Sequence, residues 1–369
     1  MKDKKILQIS CEGLGNGGVQ KIIMKIKQNM NFKSSDVVVF TDERRYYDDL
    51  FEKLNGKIYR IVLIKGLRIF RPLLKYLNIL FTYVKLKNII DRNPYDIIHC
   101  HNEYESGICL YAAYKCGIKK RIAHFHRSDY DLDKRIIYKI YSFIQKKLIL
   151  KYSTDIICCS EQARKSFFGN IDNPKINIIY NSICFSEFII KKKQKNKQEI
   201  ILTNIGKYSE NKNQMFLIKL ANEFKNKKLN SYKINLIGYD EEYKRKLENQ
   251  VKKFKLENVY FIDGLTVDIK KYLSKTDIFL FPSKKEGFGI SLLEAQIMKI
   301  PCIVSDSITK ESNIGYVKYL SLNNIEKWIE EIVNIDNCKF SYINNYYKFD
   351  DKYFFKSLND IYEKEGERV

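Results

Sequence analysis

The chain has 369 residues, of which 45% are hydrophobic and 30% charged, and its formal net charge is +22. This length suits two domains of ordinary size, and the composition excludes both a wholly disordered chain and a polytopic membrane protein. The charge would suit a nucleic-acid partner. However, lysines are abundant throughout, and the sequence shows no RNP-type strand, zinc-finger spacing or helix-turn-helix pattern. We therefore expect no nucleic acid as partner.

The cysteines and residues 1–5 give indications of the cellular compartment. Nine cysteines lie mostly within apolar runs and show no Cys-x-x-Cys spacing, which is typical of buried thiols in a reducing cytoplasm. Residues 1–5 run directly into a short predicted strand rather than into the apolar core of a signal peptide, and no apolar run approaches transmembrane length. We expect a cytoplasmic protein whose membrane contact, if any, is peripheral, at the inner face of the plasma membrane.

Short apolar runs alternate with longer helical patterns along the whole chain. This alternation predicts βαβ units that form parallel sheets buried on both faces. The predicted strands of the first half are 5–10, 37–40, 58–64, 97–101, 122–126, 156–159 and 176–180. They predict an N-terminal Rossmann-like domain over residues 1–185.

A second series of the same kind follows a polar run. Residues 191–197 are basic and polar, and we interpret 186–199 as a linker. The predicted strands beyond it are 200–205, 234–238, 259–262, 278–282 and 302–305. They predict a C-terminal Rossmann-like domain over 200–344, and we expect the aromatic tail, 345–369, to pack back on the body.

The first predicted strand ends in a glycine-rich turn. Gly13, Gly15 and Gly18 form a G-x-G-x-x-G pattern that also contains Gly17 and precedes a predicted helix. Such a turn lets backbone amides approach a phosphate or a sugar at a helix N-terminus. Since Asp42 follows the second strand, where a ribose-binding acid would stand, an NAD- or FAD-dependent oxidoreductase is one alternative.

The segment 65–92 is strongly basic, with seven basic residues and one acidic residue. Its hydrophobic residues recur at helical spacing, and lysines flank them, as is typical of a helix on an anionic membrane surface. The residues concerned are Leu73, Leu74, Leu77, Leu80, Phe81, Lys75, Lys85 and Lys87. The alternative is a helix that packs on the core and exposes a basic face.

All four histidines lie between His99 and His126. Alternation along a strand puts His99 and His101 on one face of theirs, and His124 and His126 on one face of the next. Four histidines raise the alternative of a zinc site. Because no cysteine or carboxylate completes a recognisable metal-ligand spacing, we expect no metal.

The segment 277–304 carries a more specific signal. It predicts a strand, a glycine loop around Gly287 and Gly289, a helix and a further strand. The loop amides and the positive end of the helix would face a diphosphate. Glu286 on the loop could reach sugar hydroxyls, whereas Glu294 in the helix could accept hydrogen bonds from a ribose diol.

Two lysines precede this segment along the chain. Lys207 and Lys212 follow the first strand of the second domain. Both could meet one leaving diphosphate, whose growing negative charge would then be stabilised without a metal.

These motifs together resemble glycosyltransferase family 4, the retaining transferases of the GT-B fold, particularly the members that build capsular polysaccharide and exopolysaccharide. The resemblance covers nearly the whole chain and implies two Rossmann-like parallel-sheet domains that face each other across a cleft. It also implies His126 and Glu286 as catalytic residues. The implied donor-binding residues are Gly17, Gly18, Lys207, Lys212, Gly287, Phe288, Gly289 and Glu294. Lys207 departs from the arginine usual in the family, which keeps the charge but loses the bidentate fork.

The resemblance therefore predicts the transfer of a sugar from a nucleotide-diphosphate sugar, namely a UDP-sugar, to a lipid-linked saccharide. It implies no cofactor and no metal. A nucleotide-sugar epimerase of the same fold and the NAD- or FAD-dependent oxidoreductase stay open as alternatives.

Overall fold

The computed structural model describes residues 2–10, 13–64, 71–127, 136–188, 199–343 and 346–364, without the side chains of 71–73 and 75. The chain forms two compact units. Unit 1 comprises Met1–Asn181 with Phe354–Val369, and unit 2 comprises Ser182–Tyr353. The chain therefore leaves unit 1 once and returns to it at its end. Most of the predicted linker, like residues 65–70, lies outside the described residues.

Unit 1 is built on a seven-stranded parallel sheet in the order β3-β2-β1-β4-β5-β6-β7. Its strands are β1 (Lys5–Ser10), β2 (Ser34–Val39), β3 (Ile58–Arg60), β4 (Ile97–Cys100), β5 (Lys120–Phe125), β6 (Asp155–Cys158) and β7 (Ile176–Ile178). Its helices are α1 (Gly18–Asn29), α2 (Asp48–Lys53), α3 (Arg71–Arg92), α4 (Ser106–Lys115), α5 (Ile136–Tyr152) and α6 (Glu161–Phe168), joined by α12 (Asp351–Glu363) from the end of the chain. Because every neighbouring pair is parallel, each connection is a crossover.

Helices cover both faces of this sheet. Successive residues of β1 belong to different hydrophobic clusters: Leu7 packs in one with α3 to α6, and Ile6 packs in another with α1 and α12. This division follows from the period of two along a strand. It also explains why the strands are continuous apolar runs rather than alternating patterns.

Unit 2 repeats the architecture with a six-stranded parallel sheet in the order β10-β9-β8-β11-β12-β13. Its strands are β8 (Ile200–Ile205), β9 (Tyr232–Gly238), β10 (Val259–Asp263), β11 (Ile278–Phe281), β12 (Cys302–Ser305) and β13 (Val317–Leu320). Its helices are α7 (Gln214–Asn226), α8 (Glu241–Phe254), α9 (Ile269–Leu273), α10 (Ile290–Ile297) and α11 (Ile325–Val333). Fully buried Trp328 of α11 packs edge to face on Phe216 of α7, with the ring centroids 4.9 Å apart.

The sequence prediction of two parallel-sheet α/β domains is confirmed, with differences at particular elements. The run 58–64 forms a strand only from Ile58 to Arg60. Strand β13 was not predicted. Its half-buried residues, Val317 to Tyr319, lie at the edge of the sheet and include Lys318, so they form no apolar run.

No helix in the described part of the chain is long and apolar enough to cross a membrane.

The return of the chain to unit 1 gives a test of packing. Phe354 of α12 is fully buried in the cluster that includes Ile97 and Ile122. We expect Phe354→Ala to lower the free energy of unfolding by about 3–5 kcal/mol, since it leaves a cavity between sheet and helix. The matched control is Tyr353→Ala, because Tyr353 is 46% exposed. Urea unfolding monitors both variants, and equal losses would contradict this packing.

Candidate functional site

In unit 2 the candidate site lies where the strand order reverses. Strand β8 has β9 on one side and β11 on the other. The connections that leave β8 and β11 therefore diverge to opposite faces, and the carboxyl ends of the two strands border an open crevice. The segment 206–213 follows β8 and the segment 282–289 follows β11. Chain topology thus brings together two segments that the sequence analysis singled out separately.

The segment after β8 is held close to the end of β9. Tyr208 is buried, and its hydroxyl donates to the carbonyl oxygen of Leu236 at 2.7 Å. A Cβ at Gly238 would lie 2.4 Å from the carbonyl oxygen of Gly206. Glycine is therefore required at position 238, and the close approach fixes the course of the chain from Gly206 to Lys212.

The segment after β11 is anchored to the segment after β8. The Asn213 side-chain amide donates to the carbonyl oxygen of Pro282 at 3.1 Å, and the Ser291 hydroxyl donates to that of Ile205 at 3.2 Å. Helix α10 begins directly after Gly289, whose φ of +84° is one that residues with a side chain rarely adopt. These bonds fix the N-terminus of α10, where backbone N–H groups lack intrahelical acceptors.

The two segments meet in an ion pair. The Lys212 ammonium contacts the Glu286 carboxylate, and both side chains are largely buried, with 24% and 15% exposed. Lys212 also lies 5.1 Å from the centroid of the Phe281 ring. By contrast, Lys207 is half exposed and lies 3.6 Å from an Asp240 carboxylate oxygen. Each predicted phosphate-binding lysine therefore faces a carboxylate in this structure.

The other predicted donor-binding residues lie along the same segment. Phe288 is buried, and its ring packs on Phe349 at a centroid distance of 5.4 Å, so only its backbone is available for a ligand. Gly287 and Glu294 are half buried. Glu294 is the fifth residue of α10, eight positions beyond Glu286 and little more than one turn from the loop.

Unit 1 has a corresponding reversal at β1, which lies between β2 and β4. The glycine turn follows β1, and α1 begins at Gly18 with Gly17 as its N-cap residue. A Cβ at Gly17 would lie 2.4 Å from the side-chain oxygen of Gln20, so this turn is closely packed. Gly17 and Gly18 thus occupy the position at a helix N-terminus that the sequence predicts. Asp42, in contrast, is exposed.

The four histidines form one buried cluster at the carboxyl ends of β4 and β5. His101 Nδ1 lies 2.9 Å from His126 Nε2, and His99 Nε2 lies 3.2 Å from His124 Nδ1. His99 Nδ1 contacts the hydroxyl of Tyr362 at 2.7 Å. The predicted sharing of faces is confirmed, since the ring centroids lie 4.2 Å apart for His99 and His101 and 4.0 Å apart for His124 and His126.

Burial keeps these imidazoles neutral. It lowers the pKa of His126 to about 3, and the neighbouring charge of Arg127 lowers this pKa further. The pKa of His99 is likewise lowered to about 3 by burial, and those of His101 and His124 lie well below the ordinary value of 6.5 for the same reason. At neutral pH, His126 therefore offers one N–H donor and one acceptor nitrogen rather than a positive charge.

The cluster also contains atoms with the chemistry of metal ligands. Ring nitrogens of His99, His101 and His124 lie within 4.8 Å of one another. However, the rings of His99 and His101 are stacked at 25° with centroids 4.2 Å apart. Imidazole lone pairs lie in the ring plane, so two stacked rings do not aim at a common ion, and the contacts fit hydrogen bonding better. The expectation that no metal takes part stays a prediction.

Two neighbouring residues were not singled out from the sequence. Asn102 is fully buried, and within the described residues neither of its amide atoms has a hydrogen-bond partner. Glu103 is buried with a φ of +46°, and its carboxylate lies 3.9 Å from Arg127. Strained and unsatisfied polar residues concentrate at functional sites. Their position directly after β4, beside the strand reversal, is the signal that could have identified them.

Both units match known glycosyltransferase profiles. Residues 16–186 match the profile described as Glycosyltransferase Family 4, and residues 185–314 match that described as Glycosyl transferases group 1. The O-antigen chain mannosyltransferase RfbU of Salmonella typhimurium is 30% identical over 274 residues, covering 67% of this chain and 75% of RfbU. The fold and the two strand reversals define a GT-B glycosyltransferase. The chain belongs to glycosyltransferase family 4, which decides against the oxidoreductase and epimerase alternatives.

Other relatives point to the same family. EpsF of Bacillus subtilis, named as a glycosyltransferase, is 25% identical over 347 residues, covering 89% of this chain and 87% of EpsF. An Escherichia coli protein named UDP-Gal:alpha-D-GlcNAc-diphosphoundecaprenol alpha-1,3-galactosyltransferase is 24% identical over 273 residues, covering 69% of this chain and 70% of its own.

Solved structures support the fold. The crystal structure of Anabaena HepE in complex with UDP and glucose superposes with a TM-score of 0.73 at 14% identity, covering 98% of this chain and all of HepE.

The histidine cluster generates a prediction about pH. Unfolded histidines bind protons below about pH 6.5, whereas the buried ones do so only far lower, so the unfolded chain binds more protons between these values. The contribution of these histidines to the free energy of unfolding is therefore fully present above this pH range and is lost as the pH falls through it. We expect His124→Asn to reduce the slope of the unfolding free energy against pH by up to about 1.4 kcal/mol per pH unit.

Urea unfolding at about pH 5 and about pH 7 measures the slope while most carboxylates stay ionised. Ser106→Ala is the control, because Ser106 is buried near the same strand end and does not titrate. This variant should change stability equally at both pH values. An unchanged slope in His124→Asn would show that His124 is not held neutral.

Proposed function

We propose that this glycosyltransferase moves a sugar from a UDP-sugar to a lipid-linked saccharide, with retention of configuration at the anomeric carbon, in the biosynthesis of a capsular or other surface polysaccharide. The observation that carries the proposal is the Lys212–Glu286 pair between the carboxyl ends of β8 and β11, beside the N-terminus of α10. A cation and a helix N-terminus suit the diphosphate, and a carboxylate can accept hydrogen bonds from the sugar hydroxyls.

In the proposed mechanism the donor exchanges partners with the ion pair. The diphosphate oxygens take the place of the Glu286 carboxylate beside the Lys212 ammonium. Glu286, thereby released, accepts hydrogen bonds from hydroxyl groups of the transferred sugar. Because the pair is largely buried, its two charges are already aligned and partly desolvated. The exchange therefore needs little reorganisation when the donor binds.

The chemical step breaks the bond between the anomeric carbon and the oxygen of the β-phosphate. The acceptor hydroxyl oxygen forms the new glycosidic bond on the same face, and its proton passes to the departing phosphate oxygen. The products are the glycosylated acceptor and a nucleoside diphosphate. Lys212, Lys207 and the amides of α10 stabilise the negative charge that grows on the leaving group, so we propose that no divalent ion is required.

The remaining donor contacts are assigned by position. Glu294, the fifth residue of α10, accepts hydrogen bonds from the ribose hydroxyls in this proposal. The contact of His126 with the reacting sugar, which the family resemblance implies, stays a prediction.

The donor and acceptor classes draw support from the relatives. The structure of HepE contains UDP and glucose, and the E. coli relative is named for a UDP-galactose donor and an acceptor linked to diphosphoundecaprenol. RfbU is named for O-antigen synthesis. These names support a UDP-sugar, a lipid-linked acceptor and a polysaccharide product for this chain.

Binding of the donor nucleotide can be tested by thermal shift against UDP, GDP, ADP and their sugar conjugates. We expect UDP and at least one UDP-sugar to raise the melting temperature, because a ligand that binds only the folded state stabilises it. Glu294→Ala should abolish the response. Stabilisation by GDP or ADP alone would overturn the choice of nucleotide, and no response to any nucleotide would overturn the proposed function.

Turnover tests the role of Lys212. We expect Lys212→Met to lower kcat roughly 100-fold, the effect of removing one stabilising group from a developing negative charge. The matched control is Lys284→Met, since Lys284 is on the same segment and pairs with exposed Glu210 at 3.1 Å. It should retain activity. The assay contains EDTA and follows the product by mass spectrometry, with the anomeric configuration assigned by NMR.

Loss of wild-type turnover in EDTA would contradict a metal-free mechanism. An inverted product would contradict retention, and equal kcat values for the two lysine variants would exclude Lys212 from the leaving-group site.

A further inference from the structure

Helix α5 of unit 1 exposes hydrophobic side chains that a helix normally buries. Ile136, Ile140, Phe143 and Ile144 are between 41% and 72% exposed. Their spacing of three and four positions places them along one side of the helix. This side is the outer one, because the buried residues of α5 lie on its opposite side.

The inner side of α5 is buried and combines hydrophobic with polar side chains. Ser142 and Gln145 are buried, and the Gln145 side-chain oxygen accepts from the backbone N–H of Ile108 at 2.9 Å. A Cβ at Gly107 would lie 2.6 Å from the Gln145 carbonyl oxygen, so α4 and α5 are in close contact there. A rotation of α5 that buried its hydrophobic side would break this hydrogen bond and this contact. The exposure is therefore built into the packing.

Helix α3 presents a second hydrophobic stripe next to the first. Leu77, Leu80 and Val84 are between 46% and 64% exposed, whereas Leu86 and Ile90 pack in the core. Tyr76 joins the two helices, because its hydroxyl donates to the carbonyl oxygen of Ile137 at 2.9 Å. Helix α3 thus has an exposed hydrophobic side as well as a side that packs in the core, and the contact of the segment 65–92 with a membrane stays a prediction.

The charge of these helices is almost entirely positive. Helix α5 contains four lysines and no acidic residue in 17 positions. Lys139, Lys147 and Lys151 lie on its exposed side, and the Lys147 ammonium stands 4.5 Å from the centroid of the Phe143 ring. Helix α8 of unit 2 shows the ordinary arrangement, with acidic and basic residues together and Leu247 buried. Hydrophobic side chains among lysines on an exposed face are typical of helices that lie in a membrane interface.

We propose that the outer faces of α3 and α5 form one docking surface for an anionic lipid bilayer. The surface, called here the α3–α5 surface, consists of Leu77, Leu80, Val84, Ile136, Lys139, Ile140, Phe143, Ile144, Lys147 and Lys151. The hydrophobic side chains enter the boundary between headgroups and acyl chains, and the lysines meet lipid phosphates. A second copy of the chain fits less well, because two such faces would bring lysines against lysines.

This inference deepens the proposed function and rests on it in one respect, namely that the acceptor is lipid-linked. A docked unit 1 would hold the enzyme at the surface that contains its acceptor. The docking itself requires neither donor nor acceptor, so it can be measured separately from activity.

Flotation of the full chain with vesicles tests the proposal. The vesicles consist of phosphatidylcholine alone or contain about one third phosphatidylglycerol. We expect binding to the anionic vesicles only, and roughly tenfold weaker binding for Ile140→Ser with Phe143→Ser and for Lys139→Glu with Lys147→Glu. Added salt should weaken wild-type binding, since it screens the lysines.

Matched controls have the same chemistry elsewhere on the chain. Val333→Ser with Tyr260→Ser replaces exposed hydrophobic residues of unit 2, and Lys252→Glu with Lys253→Glu makes the same change of charge on α8. Both controls should bind as the wild type does. Unchanged melting temperatures establish that all variants are folded.

Equal flotation of the surface variants and the controls would overturn the proposal, as would equal binding to neutral and anionic vesicles. A wild-type dimer that Ile140→Ser with Phe143→Ser dissociates, seen by light scattering, would replace the bilayer with a second copy. Transfer to a soluble short-chain acceptor should be unchanged in the surface variants. If the wild-type enzyme shows no transfer to this acceptor, that result would count against the proposed function but would not affect the docking result.

Discussion

The order of the parallel strands is the constraint on which both candidate sites depend. In each sheet one strand, β1 or β8, has its neighbours added from opposite directions. The crossover connections diverge there, so the backbone leaves a crevice at the carboxyl ends. Residues distant in sequence meet at this crevice because of topology alone. Lys212 and Glu286, which are 74 positions apart, are brought together in this way.

That geometry brings Lys212 and Glu286 together, and the free-energy cost of removing charges from water explains why they are paired. Two charges that are partly removed from water are tolerated only when they are paired. Removing either partner leaves the other uncompensated, whereas a ligand that supplies a new anion for the lysine preserves the balance. We propose that the pair therefore keeps the crevice ordered without a donor and selects donors that bring a negative charge. Lys207, more exposed and farther from its carboxylate, is held less firmly.

The sequence predicts those parts of the structure that local patterns determine. Continuous apolar runs identify strands such as 5–10 and 200–205, and alternation along strands places the histidines on shared faces. Partners across long separations are not encoded locally. The carboxylates that face Lys207 and Lys212, the burial of the Asn102 amide and the edge strand β13 depend on register and crossover geometry, which no short window of sequence contains.

The rotation of helix α5 about its axis is another feature that local sequence patterns do not determine. Periodicity shows that the four hydrophobic residues of α5 in the α3–α5 surface share a side, but it does not show which side faces the core. Close contact at Gly107 and the hydrogen bond of Gln145 decide the rotation. Burying one large hydrophobic side chain contributes about 1.5–3 kcal/mol, so four side chains left about half exposed forgo on the order of several kcal/mol. Transfer of these side chains into a bilayer interface would recover much of this free energy, and the lipid-linked acceptor that we propose lies at such an interface.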